Sequence, residues 1–141
     1  MTDATADPLD AIRWLAPETI RAIHDAVLEP DNLRGEDGAR PIESALARVE
    51  QRAHYGDLVP DVLTIGVAYL ATIAKAHAFV DGNKRTATVA MSVFLERHGY
   101  QLAEDTDPEW LADQVEAVAG DRLDETGLHR ELAPYFVETN D

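Results

Sequence analysis

Nine consecutive residues could do chemistry together: His77-Ala78-Phe79-Val80-Asp81-Gly82-Asn83-Lys84-Arg85. A helix that begins near Asn83 leaves its first backbone N–H groups without intrahelical partners, and the helix dipole adds to their pull on an anion. Gly82 lets the backbone turn closely around a phosphate, while Lys84 and Arg85 add fixed positive charge. Cations are disfavoured at a helix start, and a bound anion removes that cost. Asp81 is out of place in such a pocket unless a magnesium ion bridges it to nucleotide phosphates. A histidine at position 77 can accept a proton from an attacking hydroxyl at neutral pH. Base, metal ligand, anion cradle and cations are the parts of phosphoryl or nucleotidyl transfer. Singly, each has a plainer explanation: His77 as a helix-end cap, Asp81 as an N-cap, Lys84 and Arg85 as a solvated helix start. Their grouping favours the chemical reading.

The elements that must position these residues read as helices. Pro17 opens a run in which Ile20, Ile23, Val27 and Leu28 share a face, and Pro30 stops it. Residues 31 to 41, extending to about 42, carry Gly35 and Gly38 and few apolar side chains, which predicts a turn or short hairpin, a flap outside the core. Ile42, Leu46 and Val49 mark a second helix. Leu63, Val67, Leu70 and Ala74 share one face of a third, and three more residues reach His77 at its C-terminal end. The next helix runs from Asn83 through Val89, Val93 and Phe94 to a Gly99 cap, with His98 in a last turn that favours a cation. Thr106-Asp107-Pro108-Glu109 reads as a capping box with Thr106 as N-cap, opening a helix that carries Leu111, Val115 and Val118. Leu128, Leu132 and Phe136 define a last short helix. The expectation is one all-α domain over residues 1–141, a helical bundle with one non-helical flap.

Composition narrows the function. With 27 acidic against 12 basic residues, the formal net charge is -15, which repels nucleic-acid backbones and anionic membranes, so no direct nucleic-acid binding is expected. There is no cysteine, hence no disulfide framework. No apolar run approaches a membrane span and no signal peptide is visible, which predicts a cytoplasmic chain with no membrane partner. Trp14 and Trp110 are expected as core or interface anchors and His54 as a surface residue. His24 is either a packed, hydrogen-bonded histidine or a contributor to the site.

Residues 77 to 85 closely resemble the signature of the Fic family, specifically its Doc (death-on-curing) branch of toxins. Ile23-His24, Glu43 to Arg48, Thr86-Ala87, Phe94-Leu95-Glu96 and Gly99-Tyr100 extend the resemblance over roughly residues 15 to 102. It implies a Fic/Doc-like bundle with the motif loop at 77–85. It also implies His77 as general base, Phe79 as apolar anchor, Asp81 as magnesium ligand, and Asn83 and Arg85 as phosphate contacts, with Gly82 and Lys84 completing the nucleotide site.

Lys84 is the informative departure within the family, because members that transfer AMP generally have glycine there and a second arginine three residues after Arg85, where this chain has Thr88. In Doc-like enzymes the lysine accompanies a reversed nucleotide that presents its γ-phosphate. The resemblance therefore implies a kinase toxin using ATP and Mg2+ on a hydroxyl of a translation protein, elongation factor Tu in that branch. The alternatives are a Fic-type AMP transferase acting on a protein, or a non-catalytic module binding a phosphate ligand or an antitoxin. The acidic pair Glu36-Asp37 departs from the branch's flap. The self-restraining motif of Fic proteins is matched only partially, by Ser92 and Glu96 followed by Arg97, so a cognate antitoxin in another chain is the expected brake.

Overall fold

A computed structural model describes residues 7–139 as an all-α domain of six helices with one small sheet. After a short 3-10 turn come α1 (Pro17–Val27), α2 (Ile42–His54), α3 (Val62–Ala76), α4 (Asn83–Arg97), β1 (Tyr100–Leu102), α5 (Pro108–Ala119), α6 (Glu125–Leu132) and β2 (Phe136–Glu138).

The core is organised around α3. Sequence spacing assigns it one apolar face, yet every residue from Ile65 to Ala74 is buried. A helix apolar on all sides belongs at the centre of a bundle, and α2, α4, α5 and α6 all pack against this one, α4 most extensively. Gly66 permits the close approach of α4, since a Cβ there would lie 3.1 Å from Leu95 Cδ2. Tyr69 is fully buried at the centre, and its hydroxyl accepts a hydrogen bond from the Leu15 N–H at 3.1 Å, which pins the segment leading into α1. At the far end of α2, Arg52 grips Glu125 of α6 through two hydrogen bonds of 3.0 and 2.8 Å.

Residues 31–41 are non-helical, as expected, and the segment pairs with the motif loop. Asp37 N–H donates to Ala78 O at 2.8 Å and Val80 N–H to Gly35 O at 3.0 Å, making a bridge between Glu36 and Phe79. The acidic Glu36 has a structural explanation. Arg21 on α1 holds its carboxylate through two bonds of 3.0 and 3.1 Å and also holds Glu43 at the start of α2. This hydrogen bonding keeps the Glu43 carboxyl below its usual range.

Three local expectations need correction. The α5 N-cap is Asp107, whose side chain accepts from the Glu109 N–H, while Thr106 turns its hydroxyl back onto Ala103 O. Proline at the first helical position moves the cap to the residue directly before it. Phe136 is not helical, because α6 ends at Leu132 and Phe136 opens β2, which pairs antiparallel with β1 through Leu102. His98 lies just past the last turn of α4, as its C-cap residue, and both ring nitrogens are engaged: Nε2 accepts the Arg13 N–H at 2.9 Å and Nδ1 lies 2.7 Å from Phe94 O.

Two outcomes test this packing. The Thr86 hydroxyl is buried without a hydrogen-bond partner among the described residues, so Thr86→Val should raise stability by about 1 kcal/mol, read from urea midpoints. Burial pushes the Tyr69 hydroxyl up to about 12 from the ordinary 10.0. Over that window the unfolded chain releases a proton that the folded one keeps, so stability should fall as pH rises. Tyr69→Phe should flatten this alkaline decline in denaturation curves.

Candidate active site

The site is built where α3 gives way to α4. His77 follows the last residue of α3 in the left-handed region, φ 53° and ψ 42°, a conformation that ends the helix and turns the chain. Its imidazole is solvent-exposed and has no hydrogen-bond partner among the described residues, which leaves it free to take a proton.

The loop behind it is held from three sides. Phe79 is buried, and the Asn83 amide takes both of its backbone groups: Oδ1 accepts the Phe79 N–H at 3.0 Å and Nδ2 donates to Phe79 O at 2.8 Å. One Asn83 N–H remains for a further acceptor. His24 of α1 lies parallel to the Phe79 ring, centroids 3.8 Å apart, and its Nε2–H donates to Asp81 O at 2.7 Å. His24 is thus the packed, hydrogen-bonded histidine of the two sequence readings, supporting the loop from beneath. The flap closes the third side through residues 35 to 37.

Gly82, at φ 81°, is the N-cap of α4 and brings no side-chain cap. By contrast α3, α5 and α6 each begin on an aspartate whose carboxylate accepts a backbone N–H. The first turn of α4 has no acidic residue, but carries Lys84 and Arg85, the sign that suits a bound anion and not the bare helix. A Cβ at Gly82 would lie 3.2 Å from Leu28 Cδ2 and 3.5 Å from His24 Cδ2, so α1 packs against the bare backbone.

These residues line a cleft of about 540 Å³. His77, Asp81, Gly82, Asn83, Lys84 and Arg85 all border it, and Ala112, Val115, Glu116 and Ala119 of α5 form the other wall. Phe79 and His24 lie outside it, as supports. Lys84 Nζ lies 3.4 Å from Glu116, an exposed pair worth no more than about 1 kcal/mol and easily given up to a phosphate. Arg85 Nη1 donates to Val27 O at 2.7 Å and approaches Glu29 and Asn32 at 3.3 Å each. Asp81 Oδ2 accepts from Asn32 Nδ2 at 3.2 Å and from the Leu33 N–H at 3.1 Å, while Oδ1 has no partner among the described residues. A single carboxylate with one free oxygen beside an anion cradle fits magnesium, which is commonly held by one or two carboxylates together with substrate phosphates.

Two parts of the site escape the sequence reading. Nothing in the spacing of α5 says that Ala112, Val115 and Ala119 face the motif loop. Asn32 reads as an ordinary polar residue of the flap, and no sequence signal links it to Asp81 or Arg85.

A family model described as the Fic/DOC family matches residues 14–95, from the approach to α1 through nearly all of α4. The chain is 32% identical over 111 residues to "Protein kinase doc" of Escherichia phage P1, covering 78% of this chain and 86% of that protein. It is 36% identical over 94 residues to "Toxin Doc" of Mycolicibacterium smegmatis, covering 67% of this chain and 72% of that protein. The cleft wall on α5 lies beyond the family match.

Gly82→Ala should cost about 1–2 kcal/mol through left-handed strain, with a further penalty from the Leu28 contact. Urea unfolding measures it, and a loss below a few tenths of a kcal/mol would contradict the tight α1 approach.

Proposed function

The chain belongs to the Fic/Doc family, and we propose that it is the toxin of a toxin–antitoxin pair, a protein kinase that moves the γ-phosphate of ATP to a hydroxyl of a translation protein. Elongation factor Tu is the acceptor that the Doc resemblance implies, and the cytoplasm is where the two would meet. The observation that carries this reading is the uncapped start of α4, with Lys84 and Arg85 in its first turn, facing the same cleft as the unpartnered His77.

In this mechanism the nucleotide phosphates lie against the free N–H groups of α4, with Lys84 and Arg85 releasing their exposed carboxylate contacts to reach them. The apolar side chains of α5 receive the nucleoside and exclude water from one flank. Magnesium, when bound by Asp81 and the phosphates, supplies charge neutralisation. His77 accepts the proton of the acceptor hydroxyl as its oxygen forms a bond to the γ-phosphorus. The bond from that phosphorus to the β–γ bridging oxygen breaks, and ADP leaves. Lys84 supports γ- over α-phosphate transfer because its side chain occupies space that AMP-transferring members leave open with glycine. The name "Protein kinase doc", carried by one relative, supports the same choice. A cognate antitoxin in trans supplies the restraint for which the chain has no matching internal motif.

The purified protein incubated with Mg2+, ATP and elongation factor Tu should add one phosphate to the acceptor, read by intact-protein mass spectrometry. His77→Ala should lower transfer by about 10²–10⁴-fold and leave the melting curve near wild type. Retained activity in that variant would remove the general base from the mechanism. A gain of adenylate would move the chain to the AMP-transferase reading.

A further inference from the structure

Asp81, directly before the Gly82 cap, and Arg85, in the first turn of α4, are opposite charges four residues apart in the chain, both at the border of the cleft. They do not pair here. The ion-pair partner of Arg85 is Glu29, and among the described residues no Asp81–Arg85 contact falls within 4.0 Å. Asn32, half-buried in the turn after α1, stands between them. Its Nδ2 donates to Asp81 Oδ2 at 3.2 Å, and its Oδ1 accepts from Arg85 Nη1 at 3.3 Å and from the Glu29 N–H at 2.9 Å.

The orientation of that amide follows from its neighbours. Two N–H donors converge on one end and a carboxylate on the other, so the reversed amide would set N–H against N–H and oxygen against oxygen. Asn32 therefore presents the positive end of its dipole to Asp81 and the negative end to Arg85. The same turn adds the Leu33 N–H to Asp81 Oδ2 and the Val27 carbonyl to Arg85. Together these contacts hold both side chains at the edge of the cleft and leave Asp81 Oδ1 open.

We infer that Asn32 is a positioning residue that keeps the metal-binding carboxylate and the phosphate-binding guanidinium from neutralising each other. The inference rests on the roles given to Asp81 and Arg85 in the proposed function. With the amide removed, the carboxylate and guanidinium collapse into a direct ion pair, and neither is then presented to the magnesium nucleotide.

The test is titration of wild-type protein, Asn32→Ala and Asn32→Asp with a fluorescent ATP analogue, once with Mg2+ and once with EDTA, alongside thermal melting. The alanine variant adds no charge, and the aspartate variant keeps the oxygen that receives the Glu29 N–H and so keeps the turn. The defect common to both is the lost N–H donor to Asp81. Both should bind the magnesium nucleotide about 10–100-fold more weakly, the loss typical when a residue that orients a metal ligand is removed. Both should also lose most of the affinity that Mg2+ adds for wild type. A role in turn formation alone predicts instead that Asn32→Ala melts lower while Mg2+ still adds its wild-type increment of affinity to both variants. Binding by Asn32→Asp within twofold of wild type would overturn the inference and leave the kinase reading standing. Failure of wild-type protein itself to bind the magnesium nucleotide would instead overturn the nucleotide reading of the cleft, and the role of Asn32 with it.

Discussion

The two hydrogen bonds between the Asn83 amide and the backbone of Phe79 hold the site together. A loop joining two buried helices carries polar backbone groups that must be satisfied close to the core, and an unpaired one costs about 1–3 kcal/mol. Asn83 satisfies both groups of Phe79 from the first residue of α4, so the loop closes onto the very helix it introduces. With Phe79 seated, its ring receives His24, and His24 in turn fixes the Asp81 carbonyl. The bonds around Phe79 and Asp81 thus leave the α4 N-terminus uncapped without leaving the loop loose.

The electrostatics are local exceptions to a strongly acidic whole. Among the described residues every α-helix with a side-chain cap has aspartate there, and α1 and α2, which lack one, carry a glutamate in the first turn, in keeping with the surplus of acids. At α4 the pattern inverts, with glycine at the cap and two cations in the first turn. The surrounding acids at the site have structural duties. Glu36 and Glu43 are gathered by Arg21 to tie the flap to α1 and α2, and Glu116 stands across the cleft from Lys84. A negative surface discourages nucleic acid at long range, while a short-range cradle of backbone N–H groups and side-chain cations still suits a phosphate.

The turn after α1 links these two themes. Its residues 27 to 33 donate to Asp81 on one side and accept from Arg85 on the other, so the carboxylate and the guanidinium are presented separately. The turn runs into the flap, whose residues 35 and 37 pair with residues 78 and 80 of the motif loop. Asn32 and Leu33 thereby join the flap to the Asp81 carboxylate by hydrogen bonds.

The sequence by itself determined the helices and the motif loop between α3 and α4, because helical periodicity, proline and glycine boundaries and a compact motif are local properties. The position of His77 at a helix end and the non-helical flap were legible for that reason. Tertiary structure decided what depends on distant partners. Phe136 continues a helical spacing but becomes a strand because β1 offers it a ladder. His98 has the position of a helix-end residue, yet its ring is tied to the Arg13 N–H, 85 residues away in the chain. Asn32 has the composition of a turn and acquires a place at the site only because α1 and α4 pack side by side, bringing Asp81 and Arg85 to either end of one amide. Periodicity records which face of an element is buried, whereas the identity of the group that meets it is settled only when the chain closes on itself.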